Sequence, residues 1–359
     1  MKALVVITGR GMGGDAVNAL NIIKALEDLD IQCEIALDNN APGLLFKKNG
    51  YSWHKVPVPQ AGGHAATKLN IIKAGIRTLR AVFKTRQLIK KLNVDVVVGV
   101  IGGGAIVGCI SAKLAMVPGV GIIDTPLDTK ICTKLNKCIV LPEAGMFKQK
   151  IIPNNVVKSY FPLVKKIEKG DSEKAIEKIE ELDKNKIFDK NRPSLLFSSG
   201  SSLFEGMIVC LSNYCSYLKE NERLNDYNLL LIGNPLKEEY LDLIDESHII
   251  NLGYINWIND LYELIDLAIL TDDGVMIQES VACELPAVAL TRVKYGRYHN
   301  MESIFPNAIL EAELDQTNIK IDEALENLDR LKDNSKSYVE DLTSAGEKIA
   351  KIILEEAKK

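Results

Sequence analysis

Three clusters of small residues have the composition of turns that cradle anions. The first, Thr8-Gly9-Arg10-Gly11-Met12-Gly13-Gly14-Asp15, lies between an apolar run and an amphipathic one. Glycines there permit tight turning and close approach of backbone N–H groups, and the start of a following helix favours an anionic group. Gly11, Gly13 and Gly14 are therefore candidate phosphate-loop residues. So are Gly102, Gly103 and Gly104, which with Gly108 follow a second apolar run. The third cluster is Ser198-Ser199-Gly200-Ser201-Ser202, with Ser199, Gly200 and Ser201 as the candidates. Three such turns, split between the two halves of the chain, outline a cleft lined by backbone donors and suited to a nucleotide diphosphate. Taken alone, the first loop also fits a dinucleotide-binding turn, with Asp38 as its loosely matched acidic partner, or a plain structural turn.

Two carboxylates stand where they could act. Asp15 closes the first glycine loop. It could take a proton from a hydroxyl, or cap the helix that follows by accepting a backbone N–H. Glu279 lies in the helix after the apolar run ending in Thr271-Asp272-Asp273-Gly274. A carboxylate there can accept both hydroxyls of a ribose; the plainer reading is a surface glutamate. No metal site is expected, because the four histidines have no ligand spacing. Seven cysteines without a C-x-x-C pair read as buried free thiols of a reducing cytosol.

Charge is distributed unevenly. The net charge is −4, which argues against a dedicated nucleic-acid binder. Yet residues 39–94 contain no Asp or Glu and eleven lysines and arginines. In a long helix expected at about 66–92, Lys73, Arg77, Arg80, Lys84 and Lys91 fall on one stripe. Leu69, Ile72, Ile76, Leu79 and Phe83 fall on another, expected to pack inward. The basic stripe suits anionic lipid headgroups or a lipid-linked pyrophosphate, with a merely solvated face as the alternative. Aromatic interleaving of the kind that binds single-stranded nucleic acid is absent. No apolar run approaches the ~18–20 residues of a spanning helix, and the opening MKALVVITG is short for a signal peptide, so membrane contact is expected to be peripheral.

The elements that must position these groups alternate. Strands at KALVVITG, QCEIALD, VDVVVGVIG, GVGIID and KCIVLP are separated by helices. After a Lys/Glu-rich helical stretch at 165–192 the pattern restarts with PSLLFSSGS, read as a strand ending in a Ser/Gly turn. Such alternation predicts doubly wound parallel sheets. At 359 residues, 47% of them apolar, the chain suits two domains. The expected division is an N-terminal Rossmann-like domain at 1–163, a C-terminal one at 164–335, and a terminal helical segment at 336–359 packing back on the first.

In this order the motifs resemble the MurG-type glycosyltransferases, family 28, of the GT-B fold: two Rossmann-like doubly wound domains facing an interdomain cleft. The resemblance runs over about residues 3–310. TGRGMGGD is similar to the family's first glycine loop. The basic helix and NVDVVVGVIGG are similar to its membrane-proximal helix and second loop, and LLFSSGSS to its donor phosphate loop. SYFP at 159–162 takes the place of a Gly-Asn-Pro turn. GYINWINDLYELIDLAIL resembles the segment that reads uracil and would put Ile255 near the base. Glu279 through Leu285-Pro286 matches the helix whose glutamate holds the ribose. Where the family has Ser-Gly-Ala before that helix, this chain has Asp272-Asp273-Gly274, followed by Val275. Tyr298-His299 replaces a glutamine pair that reads the donor sugar, Asp15 a histidine, and Glu284 a glycine.

The resemblance implies an inverting transfer from a UDP-sugar, with an N-acetylhexosamine as the expected sugar. The acceptor would be a lipid-linked cell-wall precursor at the anionic, cytoplasmic face of the membrane. By analogy, a wall-polymer pathway such as that of archaeal pseudomurein would supply it. The nucleotide sugar is substrate, no tightly bound cofactor is implied, and the sequence is silent on a divalent cation. Asp15 would be the base, and Lys73, Arg77, Arg80 and Lys84 would meet the membrane. Two rivals remain open: a UDP-sugar epimerase of the same fold, and a non-catalytic membrane-docked subunit that binds sugar nucleotides.

Overall fold

A computed structural model describes residues 1–9, 14–59, 68–141, 153–163, 170–244, 247–272, 275–293 and 301–359; in the helix opening at Lys68, side chains are described from residue 75. The chain forms two compact units, Met1–Val164 with Ser344–Lys359, and Lys165–Thr343.

The first unit runs β1 (Lys2–Ile7), α1 (Gly14–Glu27), β2 (Gln32–Asp38), α2 (Leu44–Lys48), β3 (His54–Val56), α3 (Lys68–Leu92), β4 (Val96–Val100), α4 (Gly103–Ala115), β5 (Gly119–Ile123), α5 (Pro126–Cys132), β6 (Lys137–Val140) and β7 (Val156–Lys158). Its sheet has the order β3-β2-β1-β4-β5-β6-β7, with neighbours parallel. Ala3 to Ile7 of β1 are fully buried, and so is nearly all of β4. A strand covered on both faces needs the unbroken apolar run that the sequence shows there. Helix α4 lies on these strands with almost no intervening side chain. A Cβ on Gly104 would come within 2.7 Å of the Val6 carbonyl, and one on Gly108 within 2.7 Å of the Gly99 Cα.

Helix α3 departs from its expected orientation. Ile76, Leu79 and Phe83, expected to pack inward, are 50%, 60% and 57% exposed. The face that packs is Ala81, Val82, Thr85 and Ile89, with Leu88 and Leu92 beside it. These positions keep the i, i+3, i+4, i+7 spacing, but two are small or polar, so counting large apolar residues picked the wrong stripe. Small residues let α3 approach α4 closely, and Ser111 of α4 donates to the Val82 carbonyl at 3.2 Å.

The second unit runs α6 (Ser172–Leu182), β8 (Ser194–Leu203), α7 (Glu205–Glu220), β9 (Asn228–Pro235), β10 (Ile249–Gly253), α8 (Ile258–Tyr262), β11 (Leu267–Thr271), α9 (Val275–Ala282), β12 (Ala287–Leu290), α10 (Met301–Ile304), β13 (Ile309–Ala312), α11 (Thr317–Leu325), α12 (Leu328–Ser335) and α13 (Val339–Thr343). Its parallel sheet has the order β10-β9-β8-β11-β12-β13. Strand β8 does not stop at the Ser/Gly cluster as expected. Its register on β9 shifts between Ser198 and Ser202, and pairing resumes with Ser202 opposite Asn234. The cluster is thus a bulge inside a strand, made where two glycines meet: a Cβ on Gly233 would lie 2.9 Å from the Gly200 carbonyl.

The final helix, α14 (Ala345–Ala357), returns to the first unit and packs on α1 through Ala345, Ile349, Ala350 and Ile353. Residues 336–343 stay with the second unit, against α9 and α12.

Both sheets reverse direction of strand addition once, between β1 and β4 and between β8 and β11. Helices leave such a switch point on opposite faces, which opens a crevice beyond the strand ends where ligands of open α/β sheets bind.

Candidate functional site

At the β1/β4 crevice the backbone is held in an unusual conformation. Ile101 has φ 46° and Gly102 φ 57°. A positive φ on a β-branched residue is strained, at a cost of about 1–3 kcal/mol, and persists only where its surroundings hold it. Here Ile101 N–H donates to the Ile122 carbonyl at 2.9 Å. Gly102 N–H donates to Asp128 Oδ2 at 2.7 Å. Asp128 is fully buried in the first turn of α5 and also accepts from Thr125 N–H at 2.9 Å and Asp124 N–H at 3.3 Å. Burial pushes its carboxyl above the ordinary range, and the three N–H donors oppose that. The sequence carries a signal for this anchor: Thr125-Pro126-Leu127-Asp128 is a capping box with proline at the first helical position.

The first glycine loop meets the second here. A Cβ on Gly103 would run into the Pro59 carbonyl and sit 3.5 Å from Thr8 Oγ1. Asp15, half-buried in the first turn of α1, accepts from Gly9 N–H at 3.2 Å, across the base of the loop. It is a clasp on that loop as well as a carboxylate at the crevice. Gly14 opens α1 and is exposed, while Gly11 and Gly13 lie outside the described residues. Asp38, the acidic partner that a dinucleotide site would need, is fully buried and paired with Arg77 at 2.6 Å. Its carboxylate is occupied, which removes that reading of the first loop.

In the second unit, Ser198 is the last residue of β8 opposite β11, and its hydroxyl lies 3.5 Å from the Met276 sulfur in the first turn of α9. That contact sets the bulge beside the helix start. Gly200 has φ 90° and donates its N–H to Ser198 Oγ at 3.1 Å. Ser199 Oγ accepts from Phe204 N–H at 3.0 Å and donates to the Ser202 carbonyl at 2.9 Å. These hydroxyls shape the loop, and Ser201 remains exposed. Val275 begins α9, and Glu279 follows one turn later, half-buried between buried Gln278 and Ser280. Tyr262 of α8 donates its hydroxyl to Glu279 Oε2 at 3.2 Å. Burial raises the Glu279 pKa, and the Tyr262 hydrogen bond partly restores it. Tyr262 was not singled out from sequence, where it reads as one apolar position of a short helix. Ile255 is half-buried in the turn from β10 to α8, after Gly253 with φ 61°. Gly274 and His299 lie outside the described residues.

Residues 5–120 match the family model for the glycosyltransferase family 28 N-terminal domain. The matched region runs from within β1 to the start of β5, hence both loops of the first crevice and all of α3. No curated protein sequence matches the chain. Among solved structures it is similar to MurG of Acinetobacter baumannii, at 16% identity over 99% of each chain with a TM-score of 0.63. It is similar to HepE of Anabaena, solved with UDP and glucose, at 15% identity over 99% of this chain and 97% of that one, TM-score 0.65. A glycosyltransferase of Rickettsia africae aligns at 17% identity over 100% and 99% of the two chains, TM-score 0.68. The fold is GT-B, with two Rossmann-like units of seven and six strands.

The basic helix lies within the family 28 match. Arg80 and Lys84 are exposed beside Ile76, Leu79 and Phe83, and Arg77 is half exposed in its pair with Asp38. The side chain of Lys73 lies outside the described ones. No helix among the described residues is long and apolar enough to cross a membrane.

Proposed function

We propose that the chain is an inverting glycosyltransferase. It takes a sugar of the N-acetylhexosamine class from UDP and transfers it to a lipid-linked cell-wall precursor at the cytoplasmic membrane face. The observation that carries the donor half is Glu279, fixed by Tyr262 one turn into α9, beside the Ser198–Ser202 bulge at the β8/β11 switch point. The bulge and the helix start would receive the diphosphate, Glu279 the ribose hydroxyls, and Ile255 the base. HepE of Anabaena has been solved with UDP and glucose, which supports UDP as the carrier. The acceptor half rests on the family 28 match and on the first crevice, where the loops at Gly9 and Gly102–Gly104 would hold the acceptor diphosphate. The exposed Ile76, Leu79 and Phe83 beside Arg80 and Lys84 favour a membrane face over the soluble epimerase alternative.

In the reaction, the acceptor hydroxyl oxygen bonds to the anomeric carbon as the bond from that carbon to the diphosphate oxygen breaks. UDP leaves with the electron pair. The hydroxyl proton passes to Asp15, which the Gly9 N–H orients. Backbone N–H groups and the α9 start stabilise charge on the leaving diphosphate. A single displacement inverts the anomeric centre.

The test is UDP release from a panel of UDP-sugars, with and without membrane lipid extract. Release only with lipid is the expected result. Formation of an isomeric UDP-sugar without lipid makes the protein an epimerase, and absence of any turnover makes it a binding subunit.

A further inference from the structure

Helix α8 serves two parts of the proposed nucleotide site and is too small to hold itself. It has five residues, Ile258–Tyr262, and no side-chain cap at its start. An isolated helix of that length is unstable in water, so its place is set by what it touches. The turn at 253–257, which would read the base, runs directly into it, and Tyr262 at its far end holds Glu279. Leu261 and Tyr262 are buried and anchor one side. Another side is held by α6. Asp260 accepts from Asp171 N–H at 3.1 Å on Oδ1 and from Lys178 Nζ at 2.7 Å on Oδ2. The Lys178 ammonium also lies 5.1 Å from the centroid of the Trp257 ring, within reach of a cation–π attraction. Gly170, just before α6, lets the backbones meet: a Cβ there would run into the Asn259 carbonyl and lie 2.6 Å from the Asp260 Cα. Helix α6 is itself fixed. Asp171 caps it by accepting from the N–H groups of Glu173 and Lys174, and Ala175 and Ile179 are fully buried.

From this helix Lys178 reaches both the carboxylate inside α8 and the ring that begins it. An ion pair between part-exposed groups contributes little to overall stability. What it fixes is local: the direction in which the chain leaves the 253–257 turn. Uracil presents an N–H donor beside a carbonyl, whereas cytosine presents an acceptor beside an amino group. A backbone N–H and C=O tell these edges apart only if the peptide is held still.

We propose that Lys178 is a positioning residue for base recognition. By holding Asp260 and the Trp257 ring together, it keeps the 253–257 turn in the one conformation that prefers uracil to cytosine. The inference rests on the donor reading above and assigns base selectivity to a helix outside the crevice.

The test titrates the full chain calorimetrically with UDP and CDP. These differ only at the base edge, so their ratio separates the turn from the ribose and diphosphate contacts. The wild-type chain should bind UDP at least about tenfold more tightly. Lys178→Met keeps the stem and loses the charge. It should weaken UDP about tenfold and leave CDP within about twofold, and Lys178→Arg should restore the preference. Trp53→Phe leaves Trp257 as the only tryptophan. In that background Lys178→Met should raise acrylamide quenching of the Trp257 fluorescence. Unchanged quenching, an unchanged preference, equal weakening of both nucleotides, or a wild-type chain without preference overturns the positioning role and leaves the donor reading standing. No UDP binding by the wild-type chain overturns both. Should Lys178→Met fail to fold, Asp260→Asn makes the same comparison, because its amide oxygen still accepts from Asp171 N–H while the ion pair is lost. Failure of both variants to fold assigns the pair to stability and overturns the proposal.

Discussion

Glu279, half-buried and proposed to hold the ribose, would report on that ligand through its own protonation. Burial raises its pKa above the ordinary 4.5, with only the Tyr262 hydroxyl opposing the shift. Ribose hydroxyls donate to the ionised form, so nucleotide binding favours loss of the proton. UDP affinity is therefore full above the free-chain pKa and falls as pH drops through it, from a point above 4.5. Calorimetry over mildly acidic pH should trace this fall, and Tyr262→Phe should move it to higher pH. Glu279→Gln should flatten the dependence and cost ~1.5–3 kcal/mol of binding. Unchanged affinity in that folded variant would remove Glu279 from the site. Asp15 separates two roles. As a base, it predicts that Asp15→Asn loses about 10²–10⁴ in turnover while the clasp on Gly9 survives, because an amide oxygen still accepts. Asp15→Ala should lower the melting temperature as well. Full activity in Asp15→Asn would reduce Asp15 to a clasp. Glu279 and Asp15 are candidates by their places in the motifs, and their roles stand as proposals. Asp128 and Tyr262 are not visible in the motifs, because each acts through a residue distant in sequence, Asp128 on Gly102 and Tyr262 on Glu279.

At the scale of elements, α9 ends in a Schellman turn with the wrong residue at its apex. Leu285 N–H donates to the Ser280 carbonyl at 2.8 Å and Glu284 N–H to Val281 at 3.1 Å, which places Glu284 at φ 56°. Glycine adopts that conformation without a Cβ penalty, so Glu284→Gly should stabilise the chain by about 0.5–1 kcal/mol in denaturant unfolding. A destabilised variant would show that the Glu284 side chain makes a compensating contact. Helix α3 gives a sharper contrast. Phe83→Ser, at an exposed position, should change stability by no more than about 0.5 kcal/mol while weakening vesicle binding. Ile89→Ala, at 1% exposure, should cost about 2–5 kcal/mol and leave vesicle binding intact once folded. The reverse pattern in melting and sedimentation would restore the inward-facing assignment of Phe83. Periodicity found this helix; of the expected basic stripe Arg80, Lys84 and Lys91 are exposed, Arg77 turns to Asp38, and the Lys73 side chain lies outside the described ones. Periodicity failed on the packed face because Ala81 and Thr85 carry no hydrophobic signature, and only the neighbouring α4 shows why small residues belong there.

At the scale of the whole molecule, the chain visits the first unit twice. Helix α14 covers α1 with Ile349 fully buried, so Ile349→Ala should destabilise the first unit by about 2–5 kcal/mol. Hydrogen exchange should then show faster opening of α1 and unchanged rates in α9. Addition of UDP should do the opposite, slowing exchange at the β8 bulge and in α9 while leaving α1 untouched. Protection of α1 by UDP would move the nucleotide to the first unit.

The alternation of apolar runs and amphipathic stretches was enough to announce two parallel α/β sheets, since a strand buried on both faces admits few polar residues and each crossover helix needs one apolar face. The glycine and serine clusters were visible for the same local reason: tight turns restrict residue type. Strand order was not local. That β1 lies beside β4, and β8 beside β11, follows from pairing across tens of residues, and these two adjacencies alone convert separate loops into crevices. The same holds for Asp38, whose neighbours in sequence left it open to a ribose and whose neighbour in space, Arg77, closed it. Residue types and short spacings are written in the chain; which side chain occupies which carboxylate is decided by long-range packing, where a single ion pair on a buried carboxylate outweighs any motif.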